Sequence, residues 1–157
     1  MARYARYKSA NYPLNIRNNT YRLKSNKKES GFKVLVDLGG NVHDNIFIKE
    51  VDIDEIELIF ERKYKVIYKG KEYDTFAIGE LVINDGKIKL VSSDSEDYHN
   101  KGFEKQEQFV FTKNVRIEDI DALVEIIEPI MEFNNLPVER KIIPSTEIKE
   151  FIDNELF

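Results

Sequence analysis

Two histidines, no cysteine and several clusters of acids are the residues in this chain equipped for chemistry. His43 beside Asp44, and His99 near Glu96 and Asp97, set a nitrogen close to carboxylates, a combination able to hold a divalent cation. Neither histidine has a second one nearby, and both sets lie in polar stretches where such side chains are ordinarily solvated. No metal site is assigned. Nucleophile and phosphate signatures (G-x-S-x-G, the P-loop, H-E-x-x-H) are absent from the sequence. Pairs of acids on exposed elements lack the apolar pocket that tunes one of them into a general acid. The reading is of a protein that is not an enzyme and needs no cofactor.

Residues 33–41, KVLVDLGGN, join an apolar strand to Asp-Leu-Gly-Gly. This resembles the first phosphate loop of the sugar-kinase and actin-like superfamily, whose usual form is Asp-x-Gly-Gly-Thr. Asn41 stands where that Thr is expected, and the later glycine-rich loops of that fold are missing. A hairpin turn is the better account of these nine residues.

Charge is the sharper signal. Residues 1–28 hold eight basic residues and no acid, whereas residues 29–157 hold the other 16 basic residues against all 29 acids. The net charge of −5 therefore hides a segment of +8 and a body of −13. Residues 1–19, broken by Pro13 and by paired asparagines, read as a basic arm in which Arg3, Tyr4, Arg6, Tyr7, Lys8 and Arg17 could meet phosphates and stack on bases. The acids gather in Asp54, Glu57 and Glu61, in Asp94, Glu96 and Asp97, and in Glu118, Asp121, Glu125 and Glu128. Such a surface suits a basic protein partner reached by long-range steering.

The elements that must position these charges are organised by a repeat. Residues 47–61, FIKEVDIDEIELIFE, return as FTKNVRIEDIDALVE at residues 111–125, identical at Phe47/Phe111, Lys49/Lys113, Val51/Val115, Ile53/Ile117, Ile56/Ile120 and Glu61/Glu125. Each copy passes from alternating apolar residues into helical spacing, which predicts a strand turning into a short acidic helix. Around the copies, residues 32–38 read as a strand with Phe32, Val34, Val36 and Leu38 on its buried face. Residues 64–69, 72–84 and 87–92 read as a meander with a bend at Gly79. Ser145 opens a last helix using Ile148, Phe151, Ile152 and Leu156. The expected fold is α+β: an antiparallel sheet of five to seven strands with two acidic helices and a C-terminal helix, packed mainly on one face, formed by residues 20–157 behind the arm.

A short chain with an acidic body, no cysteine and a Tyr/Arg/Ser-rich start (MARYARYKSANY) is similar in general kind to small inhibitors of bacterial conflict systems. These are the anti-CRISPR proteins aimed at Cas9-type nucleases and the toxin-immunity proteins. The resemblance implies a stoichiometric inhibitor of a nucleic-acid-handling protein, without a cofactor, and transfers no site residue. The alternative is a nucleic-acid-binding protein led by the basic arm. No apolar run approaches the roughly 20 residues of a membrane span, and a cytoplasmic setting is expected.

Overall fold

The computed structural model describes residues 2–75 and 85–155. Twelve strands are found among them: β1 (Arg3–Tyr7), β2 (Ala10–Arg17), β3 (Thr20–Ser25), β4 (Lys33–Val36), β5 (Val42–Val51), β6 (Leu58–Tyr68), β7 (Lys71–Thr75), β8 (Lys87–Ser92), β9 (Glu104–Glu107), β10 (Val110–Arg116), β11 (Ala122–Pro129) and β12 (Glu139–Pro144). Two short α-helices lie within the described residues, α1 (Ser95–Asn100) and α2 (Ile148–Glu155). The expected α+β fold with five to seven strands and two acidic helices is therefore wrong: the chain is mostly antiparallel β. The bend expected at Gly79 and the packing expected of Leu156 lie outside the described residues.

The chain forms two compact units, Met1–Arg62 with Ile127–Val138, and Lys63–Ile126 with Glu139–Phe157. In the first, the ladder runs β4-β5-β3-β2-β1-β6, so the last strand returns beside the first. In the second it runs β9-β10-β8-β7-β6, with β11 beside β6 and β12 beside β11.

These are two copies of one plan, in matching registers. Ala5 faces Tyr12 in the first hairpin as Val66 faces Tyr73 in the second. Leu14 faces Leu23 as Thr75 faces Leu90. Tyr21 faces Val51 as Ile88 faces Val115. The turns agree as well: Lys8 and Ser9 have positive φ (48° and 64°), as do Lys69 and Gly70 (49° and 78°), the backbone of a tight two-residue hairpin. The repeat seen in the sequence is thus one part of a wider duplication, carried by the registers of the described hairpins of both units.

The two acidic helices of the repeat are single 3-10 turns, η1 (Ile53–Glu55) and η2 (Ile117–Asp119), each leading into a strand. In each copy the residue after the turn joins the opening strand. Glu57 N–H donates to the Arg6 carbonyl, and Asp121 N–H to the Ile67 carbonyl, both at 2.8 Å. Helical spacing misled because the strands that follow are buried on both faces. In β6, Ile59 enters one cluster with Ala5, Leu14 and Leu23, while Leu58 and Phe60 enter another with Ile127. In β11, Leu123 and Val124 are both fully buried. A continuous apolar run after an acidic turn cannot be told from a helix by periodicity alone.

Residues 3–17, expected as an arm, are two strands of the first unit. Ala5 and Tyr7 are core residues there, since the alternation R-Y-A-R-Y turns every second side chain inward. The expected C-terminal helix is present: Ile148, Phe151 and Ile152 of α2 are buried with Leu123 and Ile117.

Candidate functional site

The loop between β8 and β10 carries the densest polar cluster. Asp94 caps α1, accepting from Glu96 N–H at 3.0 Å. Asp97 is fully buried. Tyr73 Oη donates to its Oδ1 at 3.0 Å, Ser92 Oγ to its Oδ2 at 2.5 Å, and Lys71 Nζ to Oδ2 at 2.9 Å. Lys101 Nζ lies 3.5 Å from Oδ1. Burial pushes the Asp97 carboxyl up, and the bonds from Ser92, Lys71 and Tyr73 overcome it, leaving the group below the usual carboxylate range. The same contacts, Asp97 first and Asp94 second, raise the Lys71 ammonium. Burial and the Asp97 bond push the Tyr73 phenol up to about 12.

The first unit has the same device in reduced form. Tyr12 Oη donates to Glu29 Oε1 at 3.0 Å, and burial together with that bond pushes the phenol up to about 12. Tyr12 also packs on Phe32 with ring centroids 5.2 Å apart, as Tyr73 packs on Phe103 at 5.2 Å. Recurrence of the phenol, the acid and the ring in both copies assigns this cluster to holding the loop on its sheet. Every Asp97 oxygen is taken by a donor from the protein, so Asp97 cannot face a partner.

Other acids expected at a partner surface are also engaged. Glu125 lies buried in β11 and accepts from Tyr64 Oη at 3.0 Å. Glu57 Oε1 accepts from Ser9 N–H and Asp121 Oδ2 from Gly70 N–H, both at 2.9 Å, so each acid ties down the hairpin turn of its own unit. Glu61 and Glu128 are half-buried in β6 and β11. Asp54 is exposed on η1, Glu118 is exposed on η2, 3.8 Å from Lys149 Nζ, and Glu96 is exposed on α1. The acids expected to share two helix faces are therefore dispersed over turns, strands and a loop.

The basic residues fare differently. Tyr7 is buried, Tyr4 stacks on Phe60 with centroids 5.8 Å apart, and the Arg6 guanidinium lies 5.8 Å from the Phe60 ring. Arg3 is exposed in β1, and Lys8 is exposed in the first turn with Nζ 5.3 Å from the Tyr7 ring. Arg17 is exposed in β2. With Leu14 and Leu23 facing the core, strand alternation puts Arg17, Arg22 and Lys24 on the opposite face. Lys33 joins them through Ile48, which pairs with both Lys24 and Lys33. Arg22 meets Glu50 at 3.2 Å; Arg17, Lys24 and Lys33 are exposed. Lys24 and Lys33 were legible only as charges until the register brought them together.

The histidines form no metal set: among the described residues, no three His, Cys, Asp or Glu gather around a common point. His43 Nε2 sits 3.1 Å from Asp37 Oδ2 across the β4–β5 hairpin instead of pairing with Asp44, and His99 lies against Tyr98. Asp37 also accepts from Gly39 and Asn41 N–H, both at 2.9 Å. The Asn41 amide and His43 hold the Asp37 carboxyl below its usual range. The Asp-Leu-Gly-Gly stretch is the hairpin turn it was read as.

No protein-family model, curated protein or solved structure matches the chain.

Proposed function

We propose that the protein works by occupying a macromolecular partner, as a stoichiometric inhibitor of a nucleic-acid-handling protein. The observation that supports this reading is the turn at residues 52–55. Asp52, Asp54 and Glu55 are all exposed on it, and no ion pair involves them among the described residues. The matching turn of the second unit is partly neutralised, by Arg116–Asp119 at 3.2 Å and Lys149–Glu118 at 3.8 Å. Three exposed, unneutralised carboxylates on one turn suit a positively charged groove, such as the channel of an RNA-guided nuclease. The test is titration of the protein into a Cas9-type cleavage reaction, beside a variant carrying Asp52→Lys, Asp54→Lys and Glu55→Lys. Inhibition that saturates at a fixed molar ratio and is lost in the variant supports the reading. Equal inhibition by both proteins, or none by either, refutes it.

A second reading rests on the open basic face of β2, β3 and β4. Arg17, Lys24 and Lys33 there could follow a phosphate backbone. Gel-shift affinity that falls steeply with salt, and weakens when these three are changed to Glu, favours direct nucleic-acid binding over the first reading.

A further inference from the structure

The two units treat their edge strands differently. In the second unit, β9 is Glu-Lys-Gln-Glu, fully exposed, and its ladder to β10 skips Gln106, so the edge is both charged and bulged. Natural sheets protect free edges in these two ways. In the first unit β4 holds the same place, with Val34 opposite Phe47 as Lys105 is opposite Phe111. Here the skipped residues, 44–46, lie on β5 and leave β4 unbroken. Its sequence is Lys-Val-Leu-Val, and among the described residues it pairs with β5 alone. Val34 and Val36 continue the core face of the sheet beyond the residues that cover it, at 37% and 52% exposure, and Val42 opposite Val36 stands at 62%.

From this contrast we infer that β4 is an interface, and that its occupant is the β4 of a second copy of this chain, paired antiparallel about a two-fold axis through Leu35. The strand is complementary to itself in that register. Lys33 is brought opposite the other copy's Asp37 twice over, just past the end of β4, where that carboxylate also holds Gly39, Asn41 and His43; Leu35 faces its own counterpart, and Val34 faces Val36. The charged pairs and Leu35 fall on one face of the joined sheet, and the four valines fall together on the other. A slip of one residue breaks both matches, which fixes the register. The inference does not rest on the acidic turn at 52–55, and Lys33 is the one residue it shares with the basic face of the second reading.

The test is sedimentation equilibrium of the full chain over a wide concentration range, with Val36→Lys and Lys33→Glu variants whose fold is checked by circular dichroism. The wild type is expected to show a reversible monomer–dimer equilibrium. Lys33→Glu, which sets like charges opposite each other twice, is expected to weaken it by about tenfold or more, and Val36→Lys to abolish it. Because the chain lacks cysteine, a Leu35→Cys variant reports the register: its paired Cα atoms fall within disulfide reach, and oxidation is expected to link dimers far faster than in a Lys105→Cys control on β9. A wild type that is monomeric throughout overturns the inference, whatever else β4 binds. So does a dimer that survives both charge variants, or cross-linking no faster at position 35 than at position 105.

Discussion

The hydroxyl of Tyr73 and the buried carboxylate of Asp97 meet at 3.0 Å, as the hydroxyl of Tyr12 meets Glu29 at 3.0 Å in the other unit. The second copy adds Lys71, Ser92 and Lys101 around its acid. Asp97→Ala should strand these donors and cost about 2–4 kcal/mol, read by chemical denaturation. Glu29→Ala, with fewer bonds and more solvent, should cost less. Equal losses would show that the added donors contribute nothing.

The depressed Asp97 carboxyl also sets an acid limit. A group whose folded pKa lies below its unfolded value stabilises the protein above the unfolded value, about 3.9 for Asp. That contribution falls away as pH drops from there through the lower folded value. The melting temperature of the wild type should decline over this window, and that of Asp97→Asn should decline less.

The two phenols set an alkaline one. With Tyr12 and Tyr73 raised to about 12 from an ordinary 10.0, the neutral forms stabilise the fold fully below pH 10, and that stability is lost as pH rises toward 12. Ultraviolet titration should show Tyr12 and Tyr73 ionising late, and each Tyr→Phe variant should remove one late-ionising group.

Ser9 and Gly70 hold the same turn position with φ of 64° and 78°. Glycine adopts this backbone freely, whereas serine is strained there. Ser9→Gly should therefore raise stability by about 0.5–1 kcal/mol, and Gly70→Ser should lower it comparably. A thermal melt in which Ser9→Gly lowers stability or Gly70→Ser raises it would contradict the shared turn.

Glu57 and Asp121 secure these turns, so changing either to Ala should cost about 1 kcal/mol. Changing exposed Glu118 to Ala should leave the melt nearly unmoved. A helical surface would have made all three equally silent.

The repeat was legible because Phe47/Phe111 and Ile56/Ile120 survive as identities, and strand alternation located β4 and β8 correctly. What failed was the step from Ile53 and Ile56 to a helix. A 3-10 turn has nearly the same short spacing, and Leu58-Ile59-Phe60 is apolar on both strand faces. The rest of the duplication was illegible because its likeness lies in register and turn geometry, with few identities beyond Tyr7/Tyr68 and Tyr12/Tyr73. For the site, Asp97 gave no sign of burial, since its donors come from three separate strands and loops. Val34 and Val36 misled in the other direction: their alternation promised a covered face, and the sheet runs past its cover.

Leu58 and Phe60 belong to the first unit, yet their cluster is completed by Ile127, with Phe133 against it. As the polypeptide leaves the ribosome, those two side chains emerge long before the segment that shields them. Those opening strands therefore keep part of their apolar surface uncovered until residues 127–133 have been made, although the strands themselves are made first.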